Sequence, residues 1–280
     1  MTGLTTSRYP RRVIRLVLFL VIAAAAFKLL VWWLEPRMAF FPYQGVQETP
    51  AVLGVPFADH KIPTSDGETL HAWWFEHASP RAQIVYWHGN GGNLSLWMPV
   101  LVDLHKRGFS VLAVDYRGYG QSTGKPSERG IYRDGDAATA YFSQKLQRSG
   151  VPTIYWGRSL GCAVASYTAA KSPPTGLLLE SPFPNVAFLF TNNPVMRFLS
   201  IFSTYRFDTA THLQQYAGPL LVVHGDADSI IPFAAGKRVF EQAPTKSKTF
   251  AILPGADHND VYATHPQYAE VIDRFIASIR

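Results

Sequence analysis

The stretch TIYWGRSLG (153–161) decides the fold. Residues 153–156 are short, apolar and β-favouring, and residues 163–170 are small and helix-compatible up to Pro173-Pro174. Between them Gly157-Arg158-Ser159-Leu160-Gly161 must turn the chain sharply from strand to helix. Glycine on both sides of Ser159 removes side chains that would clash in such a turn, and the serine hydroxyl is left projecting above the sheet. As a bare turn, the same residues would make Ser159 an ordinary helix cap.

The same alternation recurs outward from this point. Residues 83–87, 109–114, 177–179, 220–223 and 249–253 read as strands, and stretches to about 107, 131–148, 234–242 and 267–279 read as helices. Residues 55–62 and 69–76 form a hairpin around Ser65-Asp66-Gly67. Short apolar strands separated by helices predict a mostly parallel sheet covered by helices on both faces. No internal repeat or second linker interrupts residues 57–280, which we read as one domain after a connector at 36–56. Chemistry in such a sheet belongs in the loops beyond the strand carboxyl ends.

Composition narrows the classes. With 47% hydrophobic and 16% charged residues in 280, the chain buries a core and is not disordered. A lone cysteine, Cys162, excludes a disulfide framework and cysteine zinc modules. The net charge of +6 is local: Arg8, Arg11, Arg12, Arg15 and Lys28 lie in the first 34 residues without an acidic residue, which leaves +1 for the rest. Nucleic acid is therefore not an expected partner.

That basic cluster precedes LVLFLVIAAAAFKLLVWWL (16–34), an apolar run whose one charge is Lys28. A helix of this length spans roughly 28 Å, close to the hydrocarbon thickness of a bilayer. Trp32 and Trp33 suit the interface, and Lys28 is able to snorkel toward it. We read residues 1–35 as a basic cytoplasmic tail and single-pass anchor, with everything after residue 35 extracytoplasmic. The rival is a signal peptide cleaved near Ala23-Ala24-Ala25, giving a secreted or periplasmic protein.

A serine nucleophile needs a base, and the base needs an orienting acid. His258 stands in GADHND (255–260) after the last strand, and Asp228 in HGDAD (224–228) after the strand at 220–223. Ser159, Asp228 and His258 thus follow strand ends in the nucleophile–acid–base order of the α/β-hydrolase fold. Backbone donors for an oxyanion are assigned to Leu160, which follows the nucleophile, and to Asn90 in HGNGGN (88–93).

These motifs, with DYRGYGQSTGKPSE (115–128) and LLESPF (178–183), resemble the α/β-hydrolases. More narrowly they resemble the Bem46-like serine hydrolases, which include membrane-anchored members. The resemblance covers about 55–280. It implies that the acid is the last Asp of HGxxD, here Asp228, and that acyl esters, thioesters or amides are hydrolysed with no cofactor or metal. Cys162 departs from the second glycine usual after GRSLG, and is expected to pack as a small buried hydrophobe.

Competing assignments exist within the loops. Asp226 is the main rival to Asp228; Glu180 is expected to bond backbone or an arginine near the elbow; Asp257 and Asp260 are expected to cap turns. His88 and His224 are read as packing or loop-bonding residues. The run 119–126 lacks the first glycine of a P-loop, and no H-E-x-x-H occurs. Residues 182–216 form a short helical lid. Its aromatics suggest an apolar acyl substrate, whether small molecule, lipid or acylated protein, or else simply pack the lid onto the domain. Peptidase or amidase activity and a non-catalytic lipid-binding module are the alternatives, and the oligomeric state stays open.

Overall fold

The computed structural model describes residues 11–191, 194–260 and 265–279. Arg8 of the basic cluster lies outside them. Eight strands form the main sheet: β1 (Ala58–Pro63), β2 (Thr69–Phe75), β3 (Ala82–Trp87), β4 (Phe109–Val114), β5 (Thr153–Arg158), β6 (Gly176–Glu180), β7 (Leu220–Gly225) and β8 (Lys248–Leu253). Their spatial order is β8-β7-β6-β5-β3-β4-β2-β1. β1 and β2 form the antiparallel hairpin read from the sequence, β2 also runs antiparallel to β4, and every other pair is parallel.

Nine α-helices accompany the sheet among the described residues: α1 (Arg11–Ala39), α2 (Leu94–Lys106), α3 (Glu128–Tyr141), α4 (Leu160–Lys171), α5 (Val186–Leu189), α6 (Pro194–Ser200), α7 (Thr209–Leu213), α8 (Phe233–Gln242) and α9 (Pro266–Ser278). Both faces of the sheet are covered, which is why its inner strands are apolar without alternation. Ile84, Tyr86, Ile154, Trp156, Leu178 and Leu221 pack under α2 and α9. Their neighbours Val85, Trp87, Tyr155, Leu177, Leu179 and Val222 pack on the other face under α3, α4 and α8. Fully burying each such side chain contributes about 1.5–3 kcal/mol. This is the α/β-hydrolase architecture anticipated above, with α5, α6 and α7 in the expected lid segment between β6 and β7.

Helix starts follow the local sequence. Asn93 Oδ1 accepts from Ser95 N at 3.0 Å and caps α2, and Ser127 Oγ accepts from Gly130 N at 3.2 Å at the start of α3. α1 is long and apolar enough to cross a membrane by length and composition. It runs through Pro36 to Ala39, and Phe40 then enters the core.

Candidate active site

The carboxyl ends of β3, β5, β7 and β8 bring the candidate residues to one edge of the sheet. Ser159 follows β5 with φ 51° and ψ −114°, a region that costs a non-glycine residue of order 1–3 kcal/mol. Its neighbours hold it there. Ser159 N donates to Glu180 O at 2.8 Å, and Cys162 N donates to Ser159 O at 3.0 Å. The glycines are needed for a steric reason: a Cβ at Gly161 would stand 2.1 Å from Trp87 O, and one at Gly157 would stand 2.4 Å from Gly161 O. α4 thus lies directly against the end of β3. Cys162 is buried, its thiol donating to Gly157 O and Glu180 O at 3.2 Å. Burial raises its pKa well above the ordinary thiol value.

Asp228 and His258 meet. His258 Nδ1 lies 2.8 Å from Asp228 Oδ2, and both residues are buried. The carboxylate assigns the ring proton to Nδ1 and leaves Nε2 as an acceptor. Asp228 Oδ1 accepts from Ile230 N at 3.0 Å and Ile231 N at 2.7 Å, which fixes the carboxylate plane. Burial acts to raise the Asp228 pKa, but the His258 hydrogen bond and charge and the Ile231 donor outweigh it and hold the group below its ordinary value.

Asp226 points elsewhere: its Oδ1 accepts from Gly255 N at 2.6 Å and caps the turn after β8. Asp257 Oδ1 accepts from Ser229 N at 2.7 Å and from His258 N at 2.7 Å, tying the two loops together. His224 Nε2 donates to Ile231 O, 3.0 Å away, and burial lowers its pKa.

The loop after β3 closes over the elbow. A Cβ on Gly89 would lie 3.8 Å from that of Ser159. Asn90 is clamped on both sides: Tyr119 OH donates to its backbone carbonyl and to Oδ1, each at 2.9 Å, and its Nδ2 donates to Ala39 O at 2.7 Å. Neither Asn90 N–H nor Leu160 N–H donates to a protein acceptor among the described residues. No hydrogen bond joins the Ser159 hydroxyl to the His258 ring among the described residues, and Nε2 is the ring nitrogen that Asp228 leaves over.

Of the contacts that support the site, only the pairing of Glu180 with an arginine was anticipated from the sequence. Arg158 Nη2 donates to His258 O at 2.6 Å. Glu180, fully buried, accepts from Trp156 Nε1 at 2.9 Å and from Tyr268 OH, with Arg158 Nη1 at 3.6 Å. Tyr116 OH donates to His88 O at 2.8 Å. Tyr116 and Tyr119 come from the DYRGYG segment, whose Asp115 accepts from Leu94 N at 3.0 Å. That recurrence of polar and aromatic residues at a strand end was the available signal.

Among the described residues no group of three or more His, Cys, Asp or Glu side chains is placed to hold a metal ion. A cavity of about 660 Å³ opens between α1, α3 and the lid, lined among others by Trp32, Tyr132, Arg133, Tyr167 and Tyr205. It contains none of the residues around Ser159.

A strained strand-to-helix serine beside a buried His–Asp pair invites comparison with known hydrolases. The serine aminopeptidase, S33, family matches residues 78–210 and 189–261. The chain belongs to this family of α/β-hydrolases. An uncharacterized protein of Mycobacterium tuberculosis is 31% identical over 255 residues, with 89% of each chain covered. Lysophosphatidylserine lipase ABHD12 of Mus musculus is 30% identical over 253 residues, covering 78% of this chain and 62% of its own length. The esterase Pf2001 of Pyrococcus furiosus shares the fold, with a TM-score of 0.70, 20% identity and 85% of this chain and 97% of that one covered. The protein is an α/β-hydrolase.

Proposed function

We propose that this hydrolase is a membrane-anchored serine enzyme that cleaves acyl esters or thioesters through Ser159, His258 and Asp228. In this reading Ser159 Oγ attacks the acyl carbonyl carbon while its proton passes to His258 Nε2. Asp228 keeps the ring in the Nδ1–H tautomer and stabilises the imidazolium. The N–H groups of Leu160 and Asn90 receive the oxyanion, each donor contributing about 3 kcal/mol to the barrier reduction. Collapse of the tetrahedral intermediate breaks the bond to the alcohol or thiol, which leaves with the proton from His258. Water, deprotonated by the same ring, then releases the acid and restores the Ser159 hydroxyl. The Ser159–His258 hydrogen bond forms when substrate is seated, as is common for nucleophile–base pairs.

The single observation that carries this reading is the 2.8 Å His258–Asp228 contact at the same sheet edge as a serine held at φ 51°. The name of the ABHD12 relatives, a lysophosphatidylserine lipase, favours lipid esters as substrates. The family description, a serine aminopeptidase, favours amides as the second reading. Arg11, Arg12 and Arg15 precede the apolar run, which supports a cytoplasmic N-terminus and an extracytoplasmic catalytic domain.

The test is Ser159→Ala. Turnover of a short aryl ester is expected to fall by several orders of magnitude, and fluorophosphonate labelling to disappear. Retained labelling would overturn the assignment. Parallel assays on an aryl ester and an aminoacyl amide separate the two substrate readings.

A further inference from the structure

α1 carries two charged side chains between Leu16 and Glu35, and both are spent on the lid. Lys28 Nζ donates to Phe202 O at 2.5 Å and to Ser203 O at 3.3 Å. The Glu35 carboxylate accepts from Thr204 N at 2.8 Å and from the hydroxyls of Ser203 and Thr204. Phe27 meets the Phe202 ring edge-on, with centroids 4.9 Å apart. Lys28 and Glu35 are seven residues apart, two helical turns, and so share one face of α1. Together they grip the three consecutive lid residues 202–204.

The depth of this grip is informative. Lys28 lies six residues before Leu34, where the apolar run ends, which places it about 9 Å inside that end of the helix. A charged side chain in hydrocarbon costs about 2.5–3.5 kcal/mol or more unless it finds partners. Lys28 finds them in backbone carbonyls of the lid, so those carbonyls sit at the same depth.

The segment leading into them is apolar and faces outward. Phe198 is 58% exposed and Ile201 73% exposed, and Val195 and Leu199 are exposed as well. Phe188, Leu189 and Tyr205 of the same lid pack against the core instead. The lid therefore divides into a part that covers the domain and a part, α6 with Ile201, that does not. Arg197 is the one charge in this apolar segment, and its stem is long enough to reach the interface.

We infer that α6 and Ile201 are seated in the extracytoplasmic leaflet of the bilayer, latched at that depth by Lys28 and Glu35, so that lid and anchor form one lipid-embedded unit. The inference rests on the reading that α1 spans the membrane. The lipid leaflet is favoured over a protein partner because the exposed patch is continuous with the span that holds it. The end of α1 also reaches the candidate site, through the Ala39 carbonyl on Asn90. An acyl substrate dissolved in the leaflet would meet the lid before it meets water.

The test uses the full chain in phosphatidylcholine vesicles. Single cysteines at Phe198, Ile201 and the exposed Ser79 at the opposite end of the sheet, each in a Cys162→Ala background, are labelled with an environment-sensitive fluorophore. Quenching by nitroxides on the lipid acyl chains is expected to be severalfold stronger at 198 and 201 than at 79. Lys28→Met, which keeps the span apolar, is expected to reduce that difference. Equal quenching at all three positions in a carbonate-resistant chain overturns the inference and leaves the anchor standing. An unchanged pattern in Lys28→Met overturns the latch. Release of the chain by carbonate overturns the anchor itself.

Discussion

The guanidinium of Arg158 donates from Nη2 to the backbone carbonyl of His258 across 2.6 Å, joining the end of β5 to a loop a hundred residues further along the chain. The residue before the candidate nucleophile thus holds the loop of the candidate base. The tie is buried, so it is neither screened nor averaged by solvent.

Arg158 acts through position and does not itself reach a substrate in the proposed mechanism. Arg158→Lys keeps a cation beside Glu180 but loses the planar fork that spans to His258. A displacement of about 1 Å at the base is expected to lower kcat for an aryl ester by roughly a hundredfold. KM should change little, since the acyl group is not touched. Steady-state kinetics over a range of substrate concentrations separates the two constants, and a KM effect without a kcat effect would assign Arg158 to substrate binding.

The two aspartates after β7 have distinct duties and should part company under mutation. Asp228→Asn leaves the shape intact but offers His258 Nδ1 the wrong donor–acceptor pattern, with an expected loss of about 10⁴ in kcat. Asp226→Asn affects only the cap on Gly255 N and should retain most of the activity. Assaying both variants against the same ester is decisive, because the opposite ranking would exchange their roles.

Gly161 tolerates no side chain. The added methyl of Gly161→Ala meets the Trp87 carbonyl at 2.1 Å, and that carbonyl belongs to a central strand that cannot withdraw. A loss of about 3 kcal/mol or more is expected from such overpacking. Urea denaturation followed by tryptophan fluorescence measures it. A variant as stable as the parent would show that α4 shifts freely against β3.

Two buried carboxyls give stability opposite dependences on pH. Burial pushes Glu180 up to about 7, against the charge of Arg158 and the Trp156 hydrogen bond. Folding then favours its protonated form, so its contribution is full below the ordinary value of 4.5 and falls as pH rises to about 7. Asp228 is held below 3.8, so its contribution is full above that value and is lost only as pH falls further. Between about pH 5 and pH 8, Glu180→Gln is therefore expected to gain on the parent protein by roughly 1–3 kcal/mol. Urea midpoints at the two pH values check this, and a parallel pair of curves would place the Glu180 titration outside that window.

The strand-and-turn framework was legible because it is local. Apolar runs fixed the inner strands to within a residue or two, and Gly157 and Gly161 announced a turn whose tightness the Trp87 carbonyl explains. Asp228 was separable from Asp226 only through the family pattern, since both follow the same strand; the Ile230 and Ile231 N–H groups are what turn one carboxylate inward. Arg158 and Lys28 were opaque for a different reason. Their partners lie 100 and 174 residues away, and no periodicity encodes a contact between a side chain and a distant carbonyl. The lid aromatics resisted sorting because α5 and α6 are four and seven residues long, too short for a periodic face to separate Phe188 from Phe198.

The bond from Asn90 Nδ2 to Ala39 O bears on how a soluble version should be cut. Trimming the chain at Phe40 to shed the greasy amino-terminal helix deletes the acceptor that steadies the Asn90 side chain. A truncation that begins a turn earlier, at Pro36, keeps it while discarding the whole apolar run.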